Sequence, residues 1–454
     1  MCVDVGAASV SITPQPATGL QGYGVRLAEA IDEPLVASAI AIGSEEIDWL
    51  LISLDLIGVD RTFTAGIRDA LAKRLSMRRD RITLACSHTH SGPASLPRLG
   101  PVSADPAYLA LLERCLIEVA GRAAADRRSA TLRIGVADVQ ENINRRERRN
   151  GRIVLGVDPR GTVDHRVWVG RFDASAGSRD APIALIVQYA CHATCSAETC
   201  NVSSDWPGVM RKTLQRSYER DRVQPVVCFL QGCAGDVTHR IGRDRQHWPD
   251  HFGAATALEA AIMGRLVAAG AIRAAERAVA TAAAKTRVMS QAIALPFRGK
   301  TGSEHTEMQI VRIGPAPPSE MSPVPAATWF VFLPGEPLAD YGDALTRRFQ
   351  VRFGAHPNNI VISGYANDAV GYLCTKRALQ DGGYEAADAH KVYHRPAPFG
   401  ADTLSIIQRA CTTAAVQLDE PRSQTRSLPA GVRYILDHFR SLAMRQSSRP
   451  STGA

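Results

Sequence analysis

Ile82-Thr83-Leu84-Ala85-Cys86-Ser87-His88-Thr89-His90-Ser91-Gly92-Pro93 is an apolar run that ends in two histidines and is stopped by Gly-Pro. A strand turns successive side chains to opposite faces, so His88 and His90, at i and i+2, share one face. Two imidazoles at a strand end can supply a metal ligand and a partner for bound water or substrate. The other reading of the same residues is a polar strand terminus with two solvated histidines.

The pattern around this stretch is α/β. Val3 to Ile12, Leu35 to Gly43 and Trp49 to Leu56 are β-rich runs of strand length. Ile67, Leu71 and Leu75 predict a helix over 62–79, and the stripe Leu109, Leu112, Leu116, Val119 predicts another over 106–128. Strand and helix therefore alternate on both sides of the histidine pair. Val136 to Arg152 reads as a strand. Val167 to Asp173 and Ile183 to Tyr189 read as paired strands joined by a turn at 175–178. Val226 to Leu230 reads as a buried strand, 250–285 as alanine-rich helix, and Val288 to Pro296, Glu307 to Ile313 and Trp329 to Leu333 as further strands. The expected architecture is mixed β-sheets flanked by helices.

Several apolar runs end, as the first does, in a residue that can do chemistry. Val187-Gln188-Tyr189-Ala190-Cys191 runs into His192, Trp329 to Leu333 runs into Pro334-Gly335-Glu336, and Asn359 to Tyr372 repeats the form. Side chains converging from several strand ends are how α/β sheets build sites. Other candidates keep two readings. Asp55, inside a buried-looking strand, needs a partner, which is either a metal-bound imidazole or an Arg or helix N-terminus. Cys191, Cys195 and Cys200 around His192 could form a structural zinc site, although the spacing is not finger-like. Cys233 is a nucleophile or an inert buried thiol. Gly19 to Gly24 is a plain turn or a loop that brings backbone close to a ligand. The arginines 145, 146, 148, 149 and 152 form a solvated loop or a clamp for an oxyanion.

The chain of 454 residues carries a formal charge of +8. The excess is local, in that arginine cluster and in the tail, and only Tyr434 and Phe439 lie among those arginines. Nucleic acid is therefore not the expected partner. Met1-Cys2-Val3-Asp4-Val5 does not read as a secretory signal, and no stretch reaches transmembrane length. Ten cysteines in such a chain read as free thiols, which makes the cytoplasm the expected location.

Five motifs, taken in order, resemble the neutral (non-lysosomal) ceramidase family. They are Ser87 to Pro93; His192 with Ser203-Ser204-Asp205; Gly235-Asp236-Val237-Thr238; Leu333-Pro334-Gly335-Glu336; and Asn367 to Thr375. The resemblance spans residues 8 to 415 and implies the fold of that family's N-terminal catalytic domain. It implies one zinc ion per chain, held by His88, His192, Glu336 and Tyr372. It places His90 toward substrate, with Arg145 close by. Thr238 stands where the family carries the serine described as its nucleophile. The family's C-terminal immunoglobulin-like domain has no counterpart. The expected division is a catalytic domain over 1–418 and a basic tail, partly helical or disordered, over 419–454. The expected activity is zinc-dependent hydrolysis of an amide in a soluble small molecule, with no stable membrane association and with homo-oligomerisation left open. Ester, lactone or carbamoyl hydrolysis, or ceramidase activity proper, are the alternatives.

Overall fold

A computed structural model describes residues 3–15, 17–175, 181–241, 257–281, 285–315 and 327–419. The tail beyond Asp419 and most of the turn expected at 175–178 lie outside these residues. Runs such as Trp49–Leu54, buried at every position, can only be covered on both faces. They form the middle of a nine-stranded sheet. Its path is Val226–Gln231, Pro182–Tyr189, Arg166–Ala174, Arg128–Asp138, Val3–Ser11, Val36–Ile42, Trp49–Leu54 and Ile82–Cys86, with Val279–Ala280 paired beside Arg128–Asp138. The strand at each end of the path is parallel to its neighbour, and the strands between are antiparallel. The sheet curls so that its ends meet: Ser53 Oγ donates to Phe229 O at 2.7 Å and accepts from Phe229 N at 3.1 Å.

Strand alternation assigns the two faces. Leu50, Ile52 and Leu54 pack with Ile67, Leu71, Leu112 and Leu116 of the helices Arg61–Leu75 and Pro106–Ala125. Trp49 and Leu51 point the other way, toward Phe330, Phe332 and Val361 of a second sheet. That sheet has the order Thr286–Pro296, Ser303–Ile313, Thr328–Phe332, Ile360–Ser363, and its last pair is parallel. Its outer face carries Tyr341, Leu345 and Phe349 of helix Ala339–Phe353 and Ile407, Cys411 and Ala414 of helix Thr403–Asp419. Helices Asp205–Ser217 and Ala257–Glu276 cover the remaining half of the first sheet. The layers are thus helix, sheet, sheet, helix.

The expected first helix is shorter than its periodicity suggested. Asp60 caps it by accepting from Phe63 N at 2.7 Å, and Ser76 ends it in the left-handed region at φ 49°. Val136 to Arg152, expected as one strand, belongs to three: Arg128–Asp138, Asn142–Arg149 and Arg152–Asp158. The last two form a hairpin at Asn150-Gly151, where φ is 50° and 76°, the pairing that a tight two-residue turn requires.

Three parallel strand pairs (Trp49–Leu54 with Ile82–Cys86, Pro182–Tyr189 with Val226–Gln231, Thr328–Phe332 with Ile360–Ser363) send their C-terminal ends to one region. Backbone bonds tie those ends together. Cys86 N donates to Tyr365 O at 3.0 Å, Asn367 N to Leu84 O at 2.8 Å, and Gly364 N to Gln231 O at 3.1 Å.

Candidate metal centre and active site

His88 leaves its strand at φ 62°, a conformation that costs energy outside glycine and is held here by its surroundings. Its backbone N donates to Leu56 O at 2.9 Å and its Nδ1 lies 2.7 Å from Ile57 O. His192 repeats the device: its N donates to Val237 O at 3.1 Å, and its Nδ1 lies 2.7 Å from Ala234 O. A carbonyl only accepts, so in both rings Nδ1 carries the proton and Nε2 presents a lone pair.

Both lone pairs face the same atom. Glu336 Oε2 is 3.3 Å from His88 Nε2 and 3.3 Å from His192 Nε2. Oε2 and His192 Nε2 are buried and have no hydrogen-bond partner. Three acceptors that close, in a buried site, repel unless a proton or a cation stands among them. Two imidazole nitrogens and one carboxylate oxygen, each held from behind, are a donor set that suits a divalent cation such as zinc. The second Glu336 oxygen accepts from Tyr393 OH at 2.5 Å, which fixes the carboxylate. Burial alone would raise the Glu336 carboxyl, but the two imidazoles beside it hold it well below the usual carboxylate range. Burial, followed by Arg145, lowers His192 to about 4.

His90 is the neighbour on the open side. Its Nε2 lies 3.2 Å from His88 Nε2, and its Nδ1 is buried without a partner. The ligand-capable nitrogens of His88, His90 and His192 lie within 4.8 Å of one another. Burial, then the two other imidazoles, pushes His90 well below the ordinary histidine range, so it is neutral near pH 7. Arg145 is buried on the strand Asn142–Arg149. It donates through Nε to Glu385 at 2.9 Å and through Nη2 to Gly235 O at 2.8 Å and to Tyr372 OH at 2.9 Å. Tyr372 pairs in parallel with Glu336, which brings the two side by side in the fold. Burial and the Glu336 charge hold its phenol well above its ordinary pKa.

His90, His192, Arg145 and Tyr372 line one cavity of about 840 Å³, together with Tyr23 and Tyr384. Thr238 is buried on the short strand Val237–His239, paired with Ile143, and is not among the residues lining that cavity.

Asp55 is paired with Arg211, at 3.0 and 2.6 Å, and not with an imidazole. Among the described residues no cysteine joins the histidine cluster, and Cys191 Sγ instead lies 3.6 Å from His192 O. Cys233 packs in the core beneath the second sheet, where burial pushes its thiol up, as for an inert buried thiol. The glycine loop is more than a turn. Gly22 has φ 123°, and a Cβ there would lie 2.6 Å from His90 Nδ1. Alanine at Gly22 is therefore expected to displace the His90 ring. If His90 takes part in a reaction at this site, a displacement of about 1 Å would lower kcat/KM about a hundredfold, while any metal held by His88, His192 and Glu336 would be retained. Metal analysis beside kinetics checks this, and full activity in G22A would remove His90 from the chemistry.

Sequence reasoning missed three phenols. Tyr393 supports Glu336. Tyr384 packs on Tyr372, with ring centroids 5.8 Å apart. Tyr365 stacks on His88 at 4.3 Å, and its hydroxyl is buried and unpartnered. Tyr365 was within reach, since it follows the same kind of apolar run as His88. The other two lie in short helical turns with no local signal.

No protein-family model matches this sequence, and no curated protein matches it. Solved structures do. A crystal structure of neutral ceramidase from Pseudomonas aeruginosa superposes with a TM-score of 0.71 at 16% identity, covering 94% of this chain and 76% of that one. A structure described as ceramidase complexed with C2 gives 0.72 at 15% identity, covering 94% and 77%. The likeness extends over nearly all of the chain, and the protein has the mixed α/β fold of the neutral ceramidases.

Proposed function

We propose that the protein is a zinc-dependent amide hydrolase of a small soluble molecule, located in the cytoplasm and not bound to nucleic acid. The observation that carries this reading is the convergence of His88 Nε2, His192 Nε2 and Glu336 Oε2, with the carboxylate oxygen 3.3 Å from each nitrogen. Tyr372 is the fourth group proposed for the metal. A zinc ion bound there supplies Lewis acidity toward a carbonyl oxygen and makes water acidic near neutral pH. His90, neutral and lining the cavity, takes the proton of the attacking water and returns it to the leaving nitrogen. Arg145 presents a donor where negative charge develops on the carbonyl oxygen. Thr238, behind the cavity wall and paired with Ile143, orients the groups that line it. Among the described residues no helix is long and apolar enough to cross a membrane. Screening the zinc-loaded protein against paired amides and esters of metabolite size tests the bond. Inertness toward every amide, with turnover of esters or lactones, would replace this reading by the ester one. The ceramidase likeness of the fold, with Val25 and Leu27 exposed next to the cavity residues Tyr23 and Gly24, favours one rival, hydrolysis of ceramide itself. A short fluorescent ceramide turned over as fast as the best soluble amide would decide for it.

The acid side of the pH profile follows from His90. The proton acceptor must be neutral, and burial with two imidazole neighbours lowers its pKa. A cation among those imidazoles lowers it further. The fall in kcat/KM on acidification is therefore expected well below pH 6.5, the ordinary histidine value. A limb centred at the ordinary value would show that another group accepts the proton.

A further inference from the structure

A second cavity of about 590 Å³ lies behind the catalytic one. Two thin segments form the partition. In one, Lys391, Val392 and His394 face the catalytic cavity while Tyr393 and Arg395 face the second. In the other, Gly100 borders the catalytic cavity and Leu96 and Arg98 the second, with Pro97 bordering both. Gly100 N donates to Val392 O at 3.0 Å and clips the segments together. Tyr393, in this wall, is the residue that holds Glu336.

The charges in the second cavity are unequally committed. Its acids are occupied. Asp60 caps the helix Arg61–Leu75. Asp368 accepts from Arg61 N at 3.2 Å, Ala369 N at 2.9 Å and Thr306 Oγ1 at 2.7 Å. Glu304 is ion-paired with Arg395. The bases are not. Arg98 is exposed to the cavity and has no hydrogen-bond or ion-pair partner among the described residues. Arg395 has a side chain only 9% exposed, it spends Nη1 on Glu304, and its Nε is buried with no partner. The N-terminus of the fifteen-residue helix Arg61–Leu75 borders the same space, with its Arg61 and Phe63 N–H groups taken by Asp368 and Asp60. A buried guanidinium N–H without an acceptor is costly, and a planar oxyanion is the group it fits.

The geometry points to a second ligand site here, for a small molecule carrying a carboxylate or phosphate group, gripped by Arg395 and Arg98 at the start of that helix. The bound oxyanion lies on the far side of Tyr393 from the catalytic cavity, so the site is separate from that of the substrate amide.

Calorimetric titration of the full-length protein with inorganic phosphate, and separately with acetate, tests the site. Saturable binding of at least one is expected, and the preferred anion tells which chemistry the natural ligand carries. Arg98→Ala, at an exposed position that the fold does not need, is expected to weaken binding about tenfold, and Arg395→Met at least as much. His90→Ala, across the partition, is expected to leave binding unchanged. Absence of saturable binding by either anion, equal affinity in Arg98→Ala, or loss in His90→Ala would each overturn the assignment. None of these outcomes touches the metal reading, which rests on different residues.

Discussion

Alanine at His192 is expected to release the metal and to lower kcat/KM by a factor on the order of 10³ or more, with the fold intact. Removing one of three converging donors does two things. It deletes a donor that Ala234 O holds in place through Nδ1. It also leaves Glu336 and His88 facing each other with less to hold a cation between them. Lewis-acid catalysis supplies several kcal/mol of transition-state stabilisation, and each 1.4 kcal/mol is about tenfold in rate. His88→Ala should match it, since the two rings stand in equivalent relation to Glu336 Oε2. Chelation of the wild type should bring its rate down to that of the variants, and added zinc should rescue the wild type alone. Elemental analysis of the purified proteins makes the result independent of any substrate. A protein that is active without metal, or that holds zinc equally well after both substitutions, would end the hydrolase reading as stated.

What the sequence could disclose about this site depended on local contrast. His88, His192 and Glu336 each follow an apolar run that a buried strand explains, so the polar residue at its end stood out. Their convergence was not local, because it comes from three parallel strand pairs and the curl of the larger sheet. The same limit applied to Asp55. A buried carboxylate without a partner was implausible, but the choice between an imidazole and Arg211, 156 residues further on, needed the fold. Asn150-Gly151 shows the reverse case, a hairpin signal present in two residues and passed over within a longer β-rich stretch. Layering was also out of reach. Trp49 and Leu50 are equally apolar, and only the structure shows that one meets a second sheet and the other a helix. Of the arginine cluster, the sequence marked Arg145 by its motif but gave no hint that Arg146 is buried with it, nor that both share one carboxylate.

That carboxylate carries the largest expected effect on stability. Glu385, fully buried, pairs with Arg145 Nε through Oε1 at 2.9 Å and with Arg146 Nη1 through Oε2 at 2.7 Å, and the two guanidinium groups are 6% and 9% exposed. It stands on the short helix Tyr384–Ala387 and so pins that segment to the strand Asn142–Arg149. Glutamine at Glu385 keeps the shape and removes the charge, leaving two buried cations with one neutral acceptor. Breaking a buried ion pair from one side costs about 3–5 kcal/mol, a large part of the 5–15 kcal/mol that typically separates folded from unfolded. Urea unfolding of E385Q should therefore show a midpoint far below wild type. Arg148→Ala, which breaks only the half-exposed pair with Asp381, should shift it by about 1 kcal/mol or less. Activity should fall in E385Q even where the protein is folded. Arg145 reaches Tyr372 OH from the position Glu385 gives it, and a guanidinium turned toward water no longer faces the cavity. An E385Q protein as stable as the wild type would mean that the two arginines are satisfied by Gly235 O, Gly382 O and Ala378 O alone, and that the carboxylate between them is dispensable.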